Sequence, residues 1–224
     1  KKNMGRIFKN AVFFFLCLGW IIAALFFAIY GDSYDAGASH KVRENFAASE
    51  NISYSPGGDS LRVCTWNLRN YAVINRPAEA GQPFKVRPKP TSEKIELCKM
   101  VAEINPDILL VQEIGEDEYL KEFAVLLAKE GQYFKYRISP NSSMNSRLGI
   151  LSKVEIKKVF DYPNLTFNYK GESKYSPRST LGINFECNSE SLFAFVVHLK
   201  SKFGAKKIDG EFFEYRFGEM SAIL

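Results

Sequence analysis

The sequence is poor in the side chains that bind transition metals, with two histidines and four cysteines in 224 residues. No spacing of cysteine and histidine in it is typical of a zinc site. Cys17 lies in a long apolar stretch, and Cys64, Cys98 and Cys187 lie in segments that should be buried, where free cysteine packs as a small hydrophobic side chain. Three cysteines in one domain leave at least one unpaired. Cysteine content therefore does not decide between an oxidising and a reducing compartment.

The sequence also lacks internal repeats, and its length suits one domain with a sizeable core. Hydrophobic residues make up 46% of the chain and aromatic residues 14%, although one N-terminal block holds part of them. The formal net charge is +5, and the isoelectric point is about 8.9. This balance favours an anionic partner, such as nucleic acid, phospholipid headgroups or a phosphorylated small molecule. A mildly basic surface is also ordinary, so charge alone does not establish such a partner.

Charged side chains are absent from residues 11–30. Twenty apolar residues rising about 1.5 Å each span the hydrocarbon core of a bilayer. Basic residues precede the stretch and acidic residues follow it: Lys1, Lys2, Arg6 and Lys9, then Asp32 and Asp35. We therefore predict a basic flank over residues 1–10 and a transmembrane helix over residues 11–30, with a cytoplasmic N-terminus and the remainder outside. The alternatives are a cleaved signal peptide, which the bulky residues 29 and 30 fit poorly, and a buried core helix.

Residues 31–60 are rich in glycine, serine, alanine, asparagine and charge, and predict a flexible linker. A folded domain is expected over residues 61–224. Its apolar patterns predict strands at residues 61–67, 108–113, 133–139, 148–152, 154–162, 179–187 and 191–198, and helices at residues 93–104, 117–129 and 211–224. Thr91 or Ser92 should cap the first helix and Gly131 should end the second. Residues 68–90, 164–176 and 206–210 are expected to be loops. Helices outside a strand-rich core predict an α/β layered sandwich with mixed strand pairing.

Three apolar runs end on polar residues. Residues 61–66 lead into Asn67, residues 108–111 into Gln112 and Glu113, and residues 192–197 into His198. Such runs are typical of strands buried on both faces, so the residue that ends each run should lie at the rim of a sheet. An amide, a carboxylate and an imidazole that converge there suit a divalent metal with oxygen ligands and a phosphate held by neutral or cationic donors.

Five segments resemble motifs of the endonuclease/exonuclease/phosphatase superfamily, which has the DNase I-like fold: residues 61–70, 106–113, 146–152, 177–181 and 197–201. Their order and separations are also similar to those of the family. The resemblance covers residues 61–224 and leaves the predicted anchor and linker outside it. It implies a four-layer α/β/β/α sandwich and metal-dependent cleavage of phosphate esters.

The resemblance also implies roles for individual residues. Glu113 would be the ligand of Mg²⁺, with Mn²⁺ as an alternative, and Asn67 would orient Glu113 and the phosphate at the metal site. His198 would donate to a non-bridging phosphate oxygen, where charge grows in the transition state. Arg178 would supply a second cationic contact to phosphate, with a surface salt bridge as the alternative.

Three further residues receive supporting roles. Gln112 would hold the carboxylate of Glu113 through its amide. Arg69 and Lys200 would steer phosphate, with ordinary solvated charge as the alternative. Basic residues are expected near the mouth of the cleft: Arg69, Lys85, Arg87, Lys89, Lys200 and Lys202.

The sequence departs from the family in two motifs. The family's Asp-x-Asn and Ser-Asp-His motifs, which supply the general base and further metal-site residues, are absent before Leu224. No residue can therefore be assigned to the activation of water. We expect the sequence to be a fragment that exposes apolar surface and is inactive alone.

Three functions remain open. The first is a membrane-tethered, Mg²⁺-dependent nuclease or related phosphodiesterase that acts on nucleic acid or another phosphate ester. The second is a phosphatase or phospholipase-type hydrolase of phosphorylated lipids or small molecules. The third is a non-catalytic binding module on the same fold. No protein partner is inferred from the sequence.

Overall fold

The computed structural model describes residues 43–44, 60–77, 82–140, 147–176, 178–200 and 209–223. The predicted transmembrane segment, residues 11–30, and its basic flank lie outside the described residues. Across the ranges that are described, no helix is long and apolar enough to cross a bilayer. The membrane anchor therefore stays a prediction.

The described residues form strands and helices whose bounds are as follows. The strands are β1 (Arg43–Glu44), β2 (Val63–Tyr71), β3 (Ile74–Arg76), β4 (Lys85–Arg87), β5 (Ile108–Ile114), β6 (Tyr136–Ile138), β7 (Leu148–Ser152), β8 (Ile156–Tyr162), β9 (Thr166–Tyr169), β10 (Glu172–Tyr175), β11 (Thr180–Cys187) and β12 (Glu190–Val196). The helices are α1 (Thr91–Ile104), α2 (Asp117–Lys129) and α3 (Asp209–Ser221).

A five-stranded sheet has the order β1-β6-β7-β5-β2. Strand β5 pairs parallel with the edge strand β2 and antiparallel with β7, so the prediction of mixed pairing is confirmed. Strand β1 lies within the predicted linker and pairs with β6, so this sheet includes residues that precede residue 61. A second, antiparallel sheet has the order β12-β11-β8.

The side chains of β5 show how the layers stack. Leu109 and Val111 belong to the core beneath α1 and α2, whereas Ile108 and Leu110 belong to the core between the two sheets. All four are fully buried, so the prediction of burial on both faces is confirmed for this strand. Helices, first sheet and second sheet thus form three successive layers. Helix α3 packs against β9, and the fourth layer of the expected sandwich stays a prediction.

Strand β12 was predicted to be buried on both faces, and this is wrong. Ala194 and Val196 face the core between the sheets, but Phe193 and Phe195 are only half-buried. They lie on the outer face beside Phe160, with ring centroids 5.9 and 5.8 Å away. Because an antiparallel sheet packs against the core with one face, its second face can stay partly open to solvent.

The start of α1 differs from expectation. The N-cap of α1 is Pro90 without a side-chain cap, and the helix begins at Thr91 rather than Glu93. The carbonyl of Pro90 accepts a hydrogen bond from the amide of Lys94 at 3.1 Å, so the backbone closes the first turn. The predicted bounds of α2 are confirmed, as is Gly131 beyond its end with φ of 78°.

Two predicted loops contain hairpins instead. Strands β3 and β4 pair within residues 68–90, and β9 and β10 pair within residues 164–176. Lys170 and Gly171 form the second hairpin's turn with φ of 53° and 79°. Two smaller predictions are also wrong, since β6 is shorter than residues 133–139 and Asp209, expected in a loop, begins α3.

Candidate functional site

The ends of β2 and β5 lie side by side because these strands are parallel neighbours, with Asn67 opposite Gln112. Beyond this pair the register shifts before Tyr71. Arg69, Asn70 and Glu113 all adopt left-handed backbone conformations, with φ of 52°, 59° and 56°. Such a conformation costs a residue with a side chain about 1–2 kcal/mol. Strain of this kind concentrates at functional sites, where it sets the direction of a side chain.

Glu113 is at the centre of the candidate site, with its side chain 22% exposed. Its Oε2 accepts a hydrogen bond from the backbone amide of Asn70 at 3.0 Å. Its Oε1 lies 3.5 Å from Nε2 of His198. Carboxylate and imidazole, predicted at the ends of two different runs, therefore meet at one rim.

His198 lies two residues beyond the end of β12, with its side chain 6% exposed. Burial and the nearby Arg178 lower the pKa of its imidazole to about 4, although Glu113 acts in the opposite direction. The ring is therefore neutral near pH 7, with one N–H donor and one acceptor nitrogen. Its Nδ1 is buried and has no hydrogen-bond partner among the described residues.

Arg178 reaches the same segment from the start of β11. Its Nη1 donates to the carbonyl oxygens of His198 at 3.1 Å and Leu199 at 2.7 Å. Burial lowers the pKa of the guanidinium, while Glu219 and Glu113 oppose that shift. The side chain is thus a half-buried cation against the site and not a surface salt bridge.

The side-chain oxygen of Asn67 has a hydrogen-bond partner, whereas its side-chain nitrogen has none among the described residues. Its Oδ1 accepts a hydrogen bond from the amide of Arg69 at 2.8 Å. Its Nδ2 is buried and unpartnered within the described ranges. A buried donor without an acceptor is costly, and it fits a ligand that supplies oxygen atoms. Together with Nδ1 of His198, it is the second such atom at this rim.

The structure gives Gln112 a different partner from the predicted one. Its Nε2 donates to Oγ1 of Thr65 at 2.8 Å, while the hydrogen bond to Glu113 comes from Asn70. Gln112 is fully buried between neighbouring strands, so its amide links β5 to β2. The carboxylate is oriented by backbone rather than by this side chain.

Sequence reasoning missed Asn70 and Arg147. Nη1 of Arg147 donates to Oδ1 of Asn70 at 2.8 Å, and its positive charge contributes to the lowered pKa of His198. Arg147 precedes β7, whose first residue, Leu148, lies opposite Gln112 in antiparallel register. The start of an antiparallel strand thus reaches the same rim as the end of β5. Searching strand beginnings as well as strand ends would have found it.

Arg69 and Lys200, the predicted phosphate-steering residues, lie on two sides of the site. Arg69 is exposed just beyond Asn67, and its carbonyl oxygen lies 3.4 Å from Nζ of Lys89. Nζ of Lys200 lies 5.8 Å from the ring centroid of Tyr215. Lys89 is 5% exposed and pairs with Glu93 at 2.8 Å, so it is not an open contact at the cleft mouth. Lys202 lies outside the described residues.

The residues present fit a lightly held magnesium ion. No group of three or more histidine, cysteine, aspartate or glutamate side chains that could hold a metal occurs in the described part of the chain. Glu113 supplies one carboxylate and Asn67 one amide. Mg²⁺ usually keeps several waters and binds through one or two carboxylates plus substrate phosphate, so this donor set is sufficient for such a site.

A basic hairpin, β3–β4, adjoins the site. Nη2 of Arg76 donates to the carbonyl oxygens of Asn70 at 2.7 Å and Ala72 at 2.6 Å, which fixes the hairpin to the turn that contacts Glu113. Lys85 and Arg87 lie in β4. Phe84 and Val86, the residues interleaved with them, are 65% and 75% exposed. The hairpin therefore offers both cations and an open aromatic ring.

Comparison with known proteins found a solved structure to which this chain is similar. No protein-family model matches the chain, and no curated protein matches it. The chain is similar in structure to an endonuclease/exonuclease/phosphatase family protein from Leptotrichia buccalis C-1013-b, with a TM-score of 0.45 and 17% sequence identity. The similarity covers 69% of this chain and 60% of the other, so the chain spans less than two thirds of that protein's length. By its description, that protein belongs to the family that the motifs of residues 61–224 resemble.

Proposed function

We propose that this protein is a Mg²⁺-dependent hydrolase of phosphate esters, most consistent with a nuclease or related phosphodiesterase. The observation that carries the proposal is the pair of buried nitrogen atoms at the rim that carries Glu113, Nδ2 of Asn67 and Nδ1 of His198, which have no hydrogen-bond partner among the residues that the structure describes. A phosphate offers several acceptor oxygens to such donors. Glu113 would hold the metal ion that accompanies it. Mn²⁺ is the alternative ion.

The residues of the site have different roles in the proposed hydrolysis. Glu113 would hold the ion, and Mg²⁺ bound there would act as a Lewis acid toward the leaving oxygen. Asn67 and neutral His198 donate to non-bridging phosphate oxygens, where negative charge grows in the transition state. Arg178 adds positive charge behind His198. None of these side chains is assigned to the activation of water.

The hairpin β3–β4 favours a polyanionic substrate over a small one. Lys85 and Arg87 suit successive phosphates, and an exposed ring such as Phe84 suits stacking against a base. These residues are joined to the site through Arg76. We therefore propose nucleic acid as the substrate class. Attachment to a membrane through residues 11–30 is a separate proposal that rests on the sequence alone.

The two alternative functions would use the same site but differ in substrate or in turnover. A phosphatase or phospholipase-type enzyme would use Glu113 and His198 in the same way on a phosphorylated small molecule or lipid. A non-catalytic module would bind the ion and the phosphate without turnover. The absence of an assigned water-activating group in the described residues is the observation that keeps the third alternative open.

The substitution Glu113→Gln in the full-length protein tests the proposal. Because a partly exposed carboxylate at a strand rim binds metal rather than packing in the core, hydrolysis of a short duplex should fall about 100-fold or more, while the free energy of unfolding changes little. Glu186→Gln, on the exposed part of β11, is the matched control and should retain activity. Undiminished turnover of E113Q at saturating Mg²⁺ would contradict the proposal.

Metal binding can be followed without turnover. The chain has two histidines, so its imidazole NMR spectrum is simple. Paramagnetic Mn²⁺ bound at Glu113 should broaden the signal of His198, whose Nε2 lies 3.5 Å from Oε1 of Glu113. The signal of His198 is the one that disappears in the His198→Gln variant. The E113Q variant should lose the broadening at the same Mn²⁺ concentration.

A further inference from the structure

Glu219 is a buried carboxyl group that the proposed chemistry does not use. It lies in α3 and is 1% exposed. Ser176 Oγ lies 3.2 Å from its Oε1, and the backbone amide of Lys200 donates to its Oε2 at 3.0 Å. Its two oxygens therefore contact two different segments of the chain, one before β11 and one after β12.

Both segments carry residues of the candidate site. Oγ of Ser176 donates to the carbonyl oxygen of Arg178 at 2.9 Å, and Lys200 is two residues from His198. The guanidinium of Arg178 then donates to the carbonyl oxygens of His198 and Leu199, at 3.1 and 2.7 Å. These contacts form a closed bracket from Glu219 through Ser176 and Arg178 to residues 198–200 and back.

The hydroxyl of Ser176 explains why a carboxyl group suits this position. It carries one hydrogen but lies within reach of two oxygen atoms, the carbonyl of Arg178 and Oε1 of Glu219. Burial raises the pKa of Glu219, while the Lys200 amide, Ser176 and Arg178 oppose the shift. A protonated carboxyl donates to Ser176 and leaves the serine hydrogen for the carbonyl of Arg178, so both contacts of Ser176 are kept. An ionised carboxylate accepts the serine hydrogen instead and still bridges Ser176 and the amide of Lys200, but the hydrogen bond from Ser176 to Arg178 is then lost.

We propose that Glu219 is a positioning residue, which sets Arg178 and His198 at the site by bridging Ser176 and the amide of Lys200. The role rests on the proposed function, because it concerns the two side chains assigned to phosphate. Glu219 itself lies behind them and acts through their backbone. Displacing a catalytic group by about 1 Å through a change distant from the chemistry can cost 100-fold in rate.

The test compares three variants of α3 in the full-length protein. Glu219→Leu removes both contacts at similar volume. Glu219→Gln keeps an oxygen for the Lys200 amide and a donor for Ser176. Glu214→Leu makes the same chemical change at an exposed position of the same helix. We expect E219L to shift the imidazole NMR signal of His198 and to lower kcat by up to about 100-fold with KM nearly unchanged. E219Q and E214L should match the wild type in both readouts.

The NMR signal separates this inference from the proposed function, because it requires no substrate. A wild-type protein that hydrolyses no phosphate ester, yet whose His198 signal moves in E219L and not in E214L, would overturn the function and support the positioning role. A folded E219L with unchanged His198 signal and unchanged kcat would overturn the positioning role. So would an E219Q variant as impaired as E219L, since the bridge would then not be what matters.

Loss of the fold in E219L would shift the test to Ser176→Ala. That change removes only the hydroxyl that connects Glu219 to the carbonyl of Arg178. We expect a smaller displacement of the His198 signal and a smaller fall in kcat, both in the same direction. A folded S176A variant indistinguishable from the wild type in both readouts would contradict the bracket.

Discussion

At the scale of single residues, the site depends on backbone conformations that sequence patterns do not show. Glu113 has φ of 56° and is oriented by the amide of Asn70, itself left-handed at 59°. The apolar run before Glu113 predicted where the carboxylate lies along the chain, but its orientation depends on strand register. Nothing in the sequence pattern indicated that Glu219 is buried, because a glutamate in a helix usually faces solvent.

His198 predicts a pH dependence of stability. Its pKa is about 4 in the folded state against 6.5 for the free side chain. Between these values the unfolded chain binds more protons, so stability should be full above pH 6.5 and fall as the pH is lowered toward 4. The loss should be on the order of 1–3 kcal/mol.

Urea unfolding at a series of pH values, with divalent ions removed by chelation, measures this loss. The His198→Gln variant should show a flatter dependence between pH 6.5 and 4, and His40→Gln should keep the wild-type slope. Equal slopes in the wild type and H198Q would show that the imidazole is not held neutral by its surroundings.

At the scale of elements, the bounds of α2 and β7 could be predicted from the sequence, whereas the short strands β3 and β4 could not. The bounds of α2 and β7 were predicted correctly because thirteen and five residues give their periodicity or apolar run enough length. Strands β3 and β4 have three residues each, too few to show alternation, and their polar composition suggested a loop. The missed hairpin is nevertheless the element that bears on substrate class.

Removal of two cations from β4 tests whether the hairpin contacts a nucleic-acid substrate. For a duplex substrate, the Lys85→Ala/Arg87→Ala variant should reduce the slope of log kcat/KM against log salt by about 2, since each phosphate contact contributes about 0.9. The control is Lys121→Ala/Lys129→Ala on α2, where both lysines are exposed; it should keep the wild-type slope. A flat salt profile on DNA and RNA, with faster turnover of an inositol phosphate, would favour the phosphatase alternative.

At the scale of the whole molecule, the sequence predicts an arrangement that extends beyond the described residues. The charge asymmetry around residues 11–30 predicts that a reporter fused after Ser60 lies outside the cytoplasm and stays with membranes after a carbonate wash. A protease-protection assay on intact cells checks the side, with a fusion before residue 1 as the control. Recovery of a soluble, shortened product would replace the anchor with a cleaved signal peptide.

The parallel pairing of β2 with β5 has a consequence for the order in which the protein folds. Synthesis delivers β2 first, and its partner emerges only after β3, β4 and α1. The hydrogen bond between Asn70 and Glu113 joins residues 43 apart, and the one between Arg147 and Asn70 joins residues 77 apart. Contacts so distant in sequence form late, because loop closure costs entropy before they stabilise the chain. Helices α1 and α2 can therefore form early, while the rim that holds Glu113 is completed among the last parts of the domain.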